Sequence, residues 1–203
     1  GLVRDSMRFA SVRWVQPGFA HSPGMIPAGL THRNLMGQVD GTANPELGSD
    51  DFDSVVWIED GPQWIRGGTL LVLRRIAMQL DTWDQLGTPS KEEVIGRKLS
   101  NGAPLTGVNE TDVPDLGARH PNGLLVIPEF AHIRRAAPQE TTERIFRRPF
   151  SYDNGMNERG SMDVGLLWTA YQRDISKQYL PIQRRLEKLD LLNEWTVPIG
   201  SAV

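Results

Sequence analysis

The sequence predicts an α+β fold in which an antiparallel sheet carries helices on one face. Three observations lead to this. Short apolar segments with strand character alternate with segments of helical spacing. Gly- and Pro-rich loops separate them. The 203 residues are enough for one large domain or two small ones, and the 39% of hydrophobic residues is ordinary for a globular core.

The first half of the chain is predicted to be rich in strands and loops. Residues 7–15 partly alternate apolar and polar side chains and predict a strand. Residues 37–54 are dense in Gly, Asp, Asn and Pro and predict an irregular loop, a kind that is usually functional or disordered. Residues 54–58 predict a short strand, and residues 67–81 begin as an apolar strand after a Gly-Gly turn.

The second half is predicted to contain two helices and the remaining strands. Ser90 and Glu93 have the spacing of a capping box and favour a helix within residues 82–99. Pro181 lies inside a run of helical spacing and predicts a helix start or a kink. The remaining predictions are a loop at 100–123, an extended segment at 143–152, a buried strand at 163–171 and a helix at 175–192.

Composition excludes several kinds of site. The chain has no cysteine, which excludes disulfides, thiolate zinc sites, iron–sulfur clusters and cysteine nucleophiles. The net charge of −3 argues against a dedicated nucleic-acid binder, because such domains carry a basic face. No apolar run reaches the roughly 18 residues of a membrane span. No signal-like segment stands at the first residues, which leaves two alternatives open: a removed targeting segment or a fragment of a longer chain.

The histidines argue against a metal site with several histidine ligands. No two of the four have the spacing of a helical metal site; they are His21, His32, His120 and His132. A cofactor that needs one histidine remains open, and haem is the main such case. His132 has the most suggestive context, since an apolar run precedes it and Arg134 follows, whose guanidinium suits a carboxylate. Packing at a strand end explains the same pattern.

Asp40 is the acidic residue with the most suggestive context. It lies between Gly37 and Gly41, which let the backbone turn tightly and approach a ligand closely. On the pattern alone, an ordinary Asp-Gly turn in a loop is the better explanation.

Six segments in order resemble one protein family, the dye-decolourising peroxidases. Residues 33–45 (RNLMGQVDGTANP) resemble its G-x-x-D-G signature. PEFAHIRRAAP around His132 and RIFRRPFSYDNG around Arg147 resemble the segments with the proximal histidine and the distal arginine. The others are SVRWVQPGF near the start, GLLWTAYQRD, and QRRLEKLDLLNEW near the end.

The resemblance implies a fold of two ferredoxin-like halves, of the dimeric α+β barrel type, with haem held by the second. Residues 1–30 would be the end of the first half and its connecting loop. Residues 31–203 would be the haem-binding half. Compared with the family pattern, the chain looks truncated at both ends.

The resemblance also implies one haem b per chain, with His132 as the iron ligand and Glu194 accepting from the other ring nitrogen. Arg134 would face the haem propionates. Asp40 would act as the base toward hydrogen peroxide, and Arg147 would stabilise the developing negative charge. Leu166 and Trp168 would shape the distal pocket, although the family usually has phenylalanine where Trp168 stands.

Peroxide and aromatic electron donors are the implied substrates, and an acidic optimum is expected because aspartate is a weaker base than histidine. The same pocket would also suit a protein that removes iron from haem, as proposed for some periplasmic relatives, or a non-catalytic haem carrier or sensor. A haem-free ferredoxin-like interaction module is a further alternative. The resemblance favours a secreted or periplasmic location and leaves a homo-oligomer open.

Overall fold

The computed structural model describes residues 4–5, 7–22, 25–27, 30–158 and 160–203. Among them, five antiparallel strands form one sheet, in the order β2-β4-β1-β5, with β3 also paired to β4. The strands are β1 (Leu70–Met78), β2 (Phe146–Arg147), β3 (Phe150–Met156), β4 (Met162–Gln172) and β5 (Thr196–Ala202). The predicted antiparallel α+β fold is therefore confirmed.

The described helices are α1 (Asp50–Val56), α2 (Leu80–Trp83), α3 (Thr88–Ile95), α4 (His132–Ala136) and α5 (Leu180–Leu189). After α1, the chain follows the ferredoxin-like succession β-α-β-β-α-β when β2 and β3, which both pair with β4, are counted as one strand. A π-helical turn, Ile175–Tyr179, precedes α5, and a 3-10 turn, Leu191–Glu194, follows it. The core joins Trp83, Val94 and Ile95 from α2 and α3 to Met78 and Leu166 of the sheet.

The register of the two central strands decides which side chains face the helices. Ile76 lies opposite Leu166, and Arg74 lies opposite Trp168. Side chains directly opposite each other share a face, and alternate residues along a strand point the same way. Ile76, Leu166, Arg74 and Trp168 therefore all stand on the face that the helices cover.

Gly165 allows β4 to approach β1 closely. It pairs with Ala77, and a Cβ atom at this position would lie 2.0 Å from the carbonyl oxygen of Ile76. Real Cβ atoms do not come this close to a backbone oxygen, so a side chain would force the two strands apart. The pairing of the two central strands depends on this glycine.

Several predicted elements are confirmed. The apolar segments at 67–81 and 163–171 are β1 and β4. Pro181 lies in the first turn of α5, directly after the π-helical turn, in agreement with the predicted helix start or kink.

Two predicted strands are wrong. Residues 7–15 form turn and coil with exposed side chains, Phe9 being 92% exposed. Although apolar and polar side chains partly alternate here, residues 7–15 pair with no other strand among the described residues. Residues 54–56 are the last residues of helix α1. Ser49 caps the start of this helix, because its hydroxyl oxygen accepts a hydrogen bond from the Phe52 N–H. The acidic residues Asp50, Asp51 and Asp53 favour that helix N-terminus electrostatically.

The predicted helix at 82–99 is divided. α2 ends at Trp83, and α3 begins at Thr88 after Gly87, with a proline in its first turn. Ser90 lies inside α3, so the capping box is wrong. α3 ends at Ile95 and is capped by Gly96, which has a φ of 90° and where a Cβ would lie 2.7 Å from the Ile133 side chain. This close approach seats α3 beside the short helix that begins with His132.

Candidate active site

A cavity of about 440 Å³ lies between the covered face of the sheet and the helices. Its sheet side includes Ile76, Met78, Leu166 and Trp168, and its helix side includes His132 of α4. Most of the wall is apolar, with a small number of polar groups. This combination is typical of cofactor and substrate pockets.

His132 is held by a carboxylate at the edge of the cavity. It is the first residue of α4, and its Nδ1 lies 2.7 Å from Oδ2 of Asp190, at the end of α5. Oδ1 of Asp190 accepts from the backbone N–H of Leu192 at 3.1 Å, and the carboxylate is 3% exposed. With Nδ1 occupied, Nε2 is the ring nitrogen available to a ligand.

The prediction that Glu194 braces His132 is wrong. Glu194 ends the 3-10 turn as an exposed residue outside the cavity wall, and Asp190 makes the contact instead. The two acids are four residues apart, and the chain changes from α5 to a 3-10 turn between them. That change of helix type decides which carboxylate reaches the ring.

The prediction that Arg134 faces a cofactor carboxylate is also wrong. Its guanidinium donates to the backbone carbonyls of Leu116, Ile127 and Pro128, at 2.6 to 3.2 Å. Arg134 lies outside the cavity wall. Through Nε and Nη2, Arg134 therefore binds the backbone of the loop before α4.

A tight turn presents Asp40 to the cavity. The Oδ1 of Asn34 accepts from the N–H groups of Met36 and Gln38, and Gly37 has the left-handed φ of 78° that the turn requires. The chain then leaves the turn with the Asp40 N–H donating to the His32 carbonyl at 3.1 Å.

Asp40 and Arg147 form an ion pair in the cavity wall. Oδ1 of Asp40 lies 3.1 Å from Nη1 of Arg147, and the side chains are 8% and 25% exposed. The angles of this contact do not make a hydrogen bond, so buried Oδ1 has no hydrogen-bond partner among the described residues. Gln38 Nε2, which is buried in the same wall, also has none among them.

Arg97 adds a second positive charge to this wall. It is buried and donates from Nη1 to the carbonyls of Gly102 and Glu110, at 2.6 and 2.8 Å. Burial lowers the pKa of Arg97, the Glu110 carboxylate raises it, and the neighbouring Arg147 lowers it further. An arginine starts from so high a pKa that it stays charged near neutral pH.

Thus the cavity brings His132, Asp40, Arg147, Leu166 and Trp168 together. Sequence reasoning missed Asp190 and Arg97. The described residues contain no cluster of three His, Cys, Asp or Glu side chains that could hold a metal ion. They also contain no helix long and apolar enough to cross a membrane.

Fold and cavity together define a class of protein. It is a ferredoxin-like α+β protein with an apolar pocket large enough for a cofactor. The pocket holds one imidazole that contacts a carboxylate, together with an Asp–Arg ion pair. Residues 31–203 match the family model described as Dyp-type peroxidase, C-terminal. The chain therefore belongs to the dye-decolourising, or DyP-type, peroxidase family.

Similar proteins agree with this assignment. The chain is 42% identical to the dye-decolorizing peroxidase of Thermobifida fusca over 209 residues, covering 100% of this chain and 49% of that protein. It is 36% identical to the deferrochelatase of Yersinia pestis bv. Antiqua, covering 98% of this chain and 47% of that protein. The DyP-type peroxidase structure from Cellulomonas bogoriensis has a TM-score of 0.92 and 51% identity, with coverage of 99% and 56%. The chain thus spans about half the length of these relatives.

Proposed function

We propose that this chain is the haem-binding half of a peroxidase that reduces hydrogen peroxide and oxidises dyes or other aromatic electron donors. The observation that carries the proposal is the cavity itself, in which His132 braced by Asp190 shares one pocket with the Asp40–Arg147 pair. Family membership supports the same reaction class.

The residues present fit a haem, which we propose to be haem b, one per chain. The cavity volume lies within the roughly 300–1,000 Å³ of small-molecule and cofactor sites. Its apolar wall suits a porphyrin, and a single imidazole suffices for haem iron. The buried Asp40 Oδ1 and Gln38 Nε2 lack hydrogen-bond partners among the described residues, as expected of groups that meet a bound molecule.

His132 is the proposed iron ligand, through Nε2. Asp190 accepts the hydrogen on Nδ1, which fixes the tautomer, orients the ring and raises its basicity. When bound, haem supplies the redox chemistry that splits the oxygen–oxygen bond of peroxide.

Asp40 and Arg147 are proposed to act on peroxide from the other side of the pocket. Asp40 Oδ1 accepts a proton from one peroxide oxygen and returns it to the departing oxygen, which leaves as water. Arg147 stabilises the negative charge that develops on the departing oxygen. Leu166 and Trp168 line the same cavity, where they would exclude bulk water during this proton transfer and limit the space for peroxide.

An absorption spectrum before and after one equivalent of peroxide tests the proposal. A Soret band after haem addition, a spectral change with peroxide and bleaching of a dye would support it. A stable haem complex that does not react with peroxide would favour a haem carrier or sensor. The absence of a Soret band would favour a haem-free interaction module.

Removal of iron from haem is the second candidate, because relatives at 36% identity are deferrochelatases. The measurement that separates the two is the yield of metal-free porphyrin from haem-loaded protein. Porphyrin release without dye bleaching would favour this candidate.

The wider organisation follows from the resemblance. Residues 1–30 are proposed to belong to the preceding ferredoxin-like half, with residues 31–203 as the haem-binding half. A secreted or periplasmic location and a homo-oligomer remain predictions.

A further inference from the structure

One arginine of the cavity wall, Arg74, donates to neither a carboxylate nor a backbone carbonyl among the described residues. Arg74 on β1 is half-buried, and its Nη1 donates to the neutral amide oxygen Oε1 of Gln183 at 2.5 Å. Other partly buried arginines pair with carboxylates, namely Arg75 with Asp163, Arg147 with Asp40 and Arg185 with Glu143. Arg97 in the same wall is satisfied by two backbone carbonyls.

A second donor converges on the same oxygen. The hydroxyl of Tyr179, which precedes α5, donates to Gln183 Oε1 at 3.2 Å. A guanidinium and a phenol thus share one uncharged acceptor. A carboxylate would add an ion pair with the guanidinium and would give the phenol an ionised acceptor, and hydrogen bonds to ionised groups are shorter and stronger than those between neutral groups. A carboxylate that entered here would be a better acceptor than the amide oxygen.

The surroundings suit an anion attached to a flat ring. The rings of Trp168 and Tyr179 lie 5.7 Å apart, and both side chains line the cavity beside Arg74. Arg74 on β1 and Arg147 on β2 stand on opposite sides of β4, which separates them by two strand spacings of about 4.8 Å each. The two arginines therefore serve different parts of the cavity.

We propose that Arg74 and Tyr179 form a carboxylate-binding subsite in the cavity, with Gln183 holding both donors in place until the ligand arrives. The inference rests on the proposed function for the source of the ligand. Two sources carry this chemistry, a propionate of haem and the acid group of an aromatic electron donor.

Three variants isolate the subsite. Arg74→Met removes the charge at similar length, Arg74→Lys keeps the charge but loses the planar fork, and Tyr179→Phe removes one donor. Arg184→Met is the matched control, because Arg184 is an exposed arginine on the same helix as Gln183. Far-ultraviolet circular dichroism confirms that each variant is folded.

The haem arm compares haem with its dimethyl ester, whose propionates are uncharged, by Soret titration. If a propionate occupies the subsite, Arg74→Met weakens haem binding about 10-fold or more and leaves ester binding unchanged. Arg74→Lys and Tyr179→Phe should weaken haem binding less, and Arg184→Met should not change it.

The donor arm measures steady-state KM in haem-loaded protein with a carboxylated phenol and its neutral methyl ester. If a donor occupies the subsite, Arg74→Met raises KM for the acid about 10-fold or more and spares the ester. Haem affinity then stays unchanged. Wild-type values for Arg74→Met in both arms, or equal losses with charged and uncharged ligands, would overturn the proposal.

If the wild-type chain takes up no haem, the proposed function fails. A third experiment, which needs no haem, then tests the carboxylate-binding subsite by itself. Calorimetric titration of the haem-free chain with benzoate should give saturable binding that Arg74→Met removes and Arg184→Met retains. Absence of such a difference would overturn the subsite.

Discussion

Asn44 holds the backbone of Arg147 through both ends of its side-chain amide. Its Nδ2 donates to the Arg147 carbonyl at 2.7 Å, and its Oδ1 accepts from the Arg147 N–H at 3.0 Å. Arg147 pairs on its other side with Ala170 of β4. An amide thus takes the place of a neighbouring strand, and because Asn44 follows Asp40 by four residues, it ties the acid's loop to the arginine.

Replacing Asn44 by alanine should slow the reaction with peroxide by about 10- to 100-fold, because small displacements of a catalytic group are costly. Haem affinity should stay close to wild type, since His132 is not involved. Stopped-flow absorbance measures the peroxide reaction, and Asn122→Ala, at an exposed amide, is the control. An unchanged rate would show that Arg147 needs no such clamp.

Asp190→Asn should weaken haem binding or lower activity by about 10- to 100-fold, because partners of ligating histidines typically have effects of this size. Glu194→Gln, four residues away and exposed, should leave both unchanged. Soret titrations of the two variants measure the difference directly. The reverse result, with the loss in the Glu194 variant, would contradict the contact between His132 and Asp190.

Asp40→Asn should slow the peroxide reaction by about 100- to 10,000-fold, the range expected for loss of a general base. The asparagine keeps the size of the side chain, so the Soret band of the resting protein should persist. Stopped-flow mixing with peroxide measures the rate, and Asp60→Asn, at an exposed loop acid, serves as control. A wild-type rate would remove Asp40 from the mechanism and leave Arg147 as the main candidate.

Gly165→Ala should destabilise the fold by about 2–3 kcal/mol, because the new methyl group would meet the Ile76 carbonyl oxygen at 2.0 Å. Gly200→Ala in β5 is the matched control. A Cβ there meets only Arg75 Cβ, at 3.7 Å, and the substitution should be neutral or slightly stabilising. Urea unfolding midpoints give both values. Equal midpoints for the two variants would mean that β1 and β4 separate at little cost.

Tyr152→Phe should stabilise the fold slightly and weaken its sensitivity to alkali. Its hydroxyl is buried near Arg75 and Asp163 but makes no hydrogen bond of good geometry among the described residues. Burial raises the pKa of Tyr152 above 10.0, against the lowering effect of Arg75. The folded state therefore binds this proton more tightly than the unfolded state does, and its stabilising effect is lost as pH rises above about 10.

Urea unfolding at pH 8 and at pH 10.5 measures this effect. The wild type should lose more stability between the two pH values than the phenylalanine variant. A steeper loss in the variant would contradict the assignment. Tyr171→Phe, whose ring is also partly buried in the sheet, is the comparison.

The sequence was sufficient for the parts of the fold that depend on local pattern. Apolar runs marked β1 and β4, and Pro181 marked the start of α5, because these signals lie within the element itself. The strand predicted at residues 54–58 is wrong at 54–56, because these few residues show neither helical nor strand periodicity. The signal for a helix is the Ser49 cap at the start of α1, five residues earlier.

Residues of the candidate site could be predicted only where they lie inside a recognisable sequence motif. His132, Asp40 and Arg147 lie in such motifs. The partner of His132 lies 58 residues away, and both Asp190 and Glu194 stand in the segment that reaches it. Which of them contacts the ring depends on where α5 gives way to a 3-10 turn, and that depends on packing rather than on residue type.

The distance along the chain between the members of the site has a consequence for assembly. Asn44 meets Arg147 across 103 positions, and His132 meets Asp190 across 58. Closing loops of this length is entropically unfavourable until the sheet between them has formed. We therefore expect the pocket to be completed late in folding, so that a porphyrin would enter a nearly folded chain and would not be the nucleus on which the chain folds.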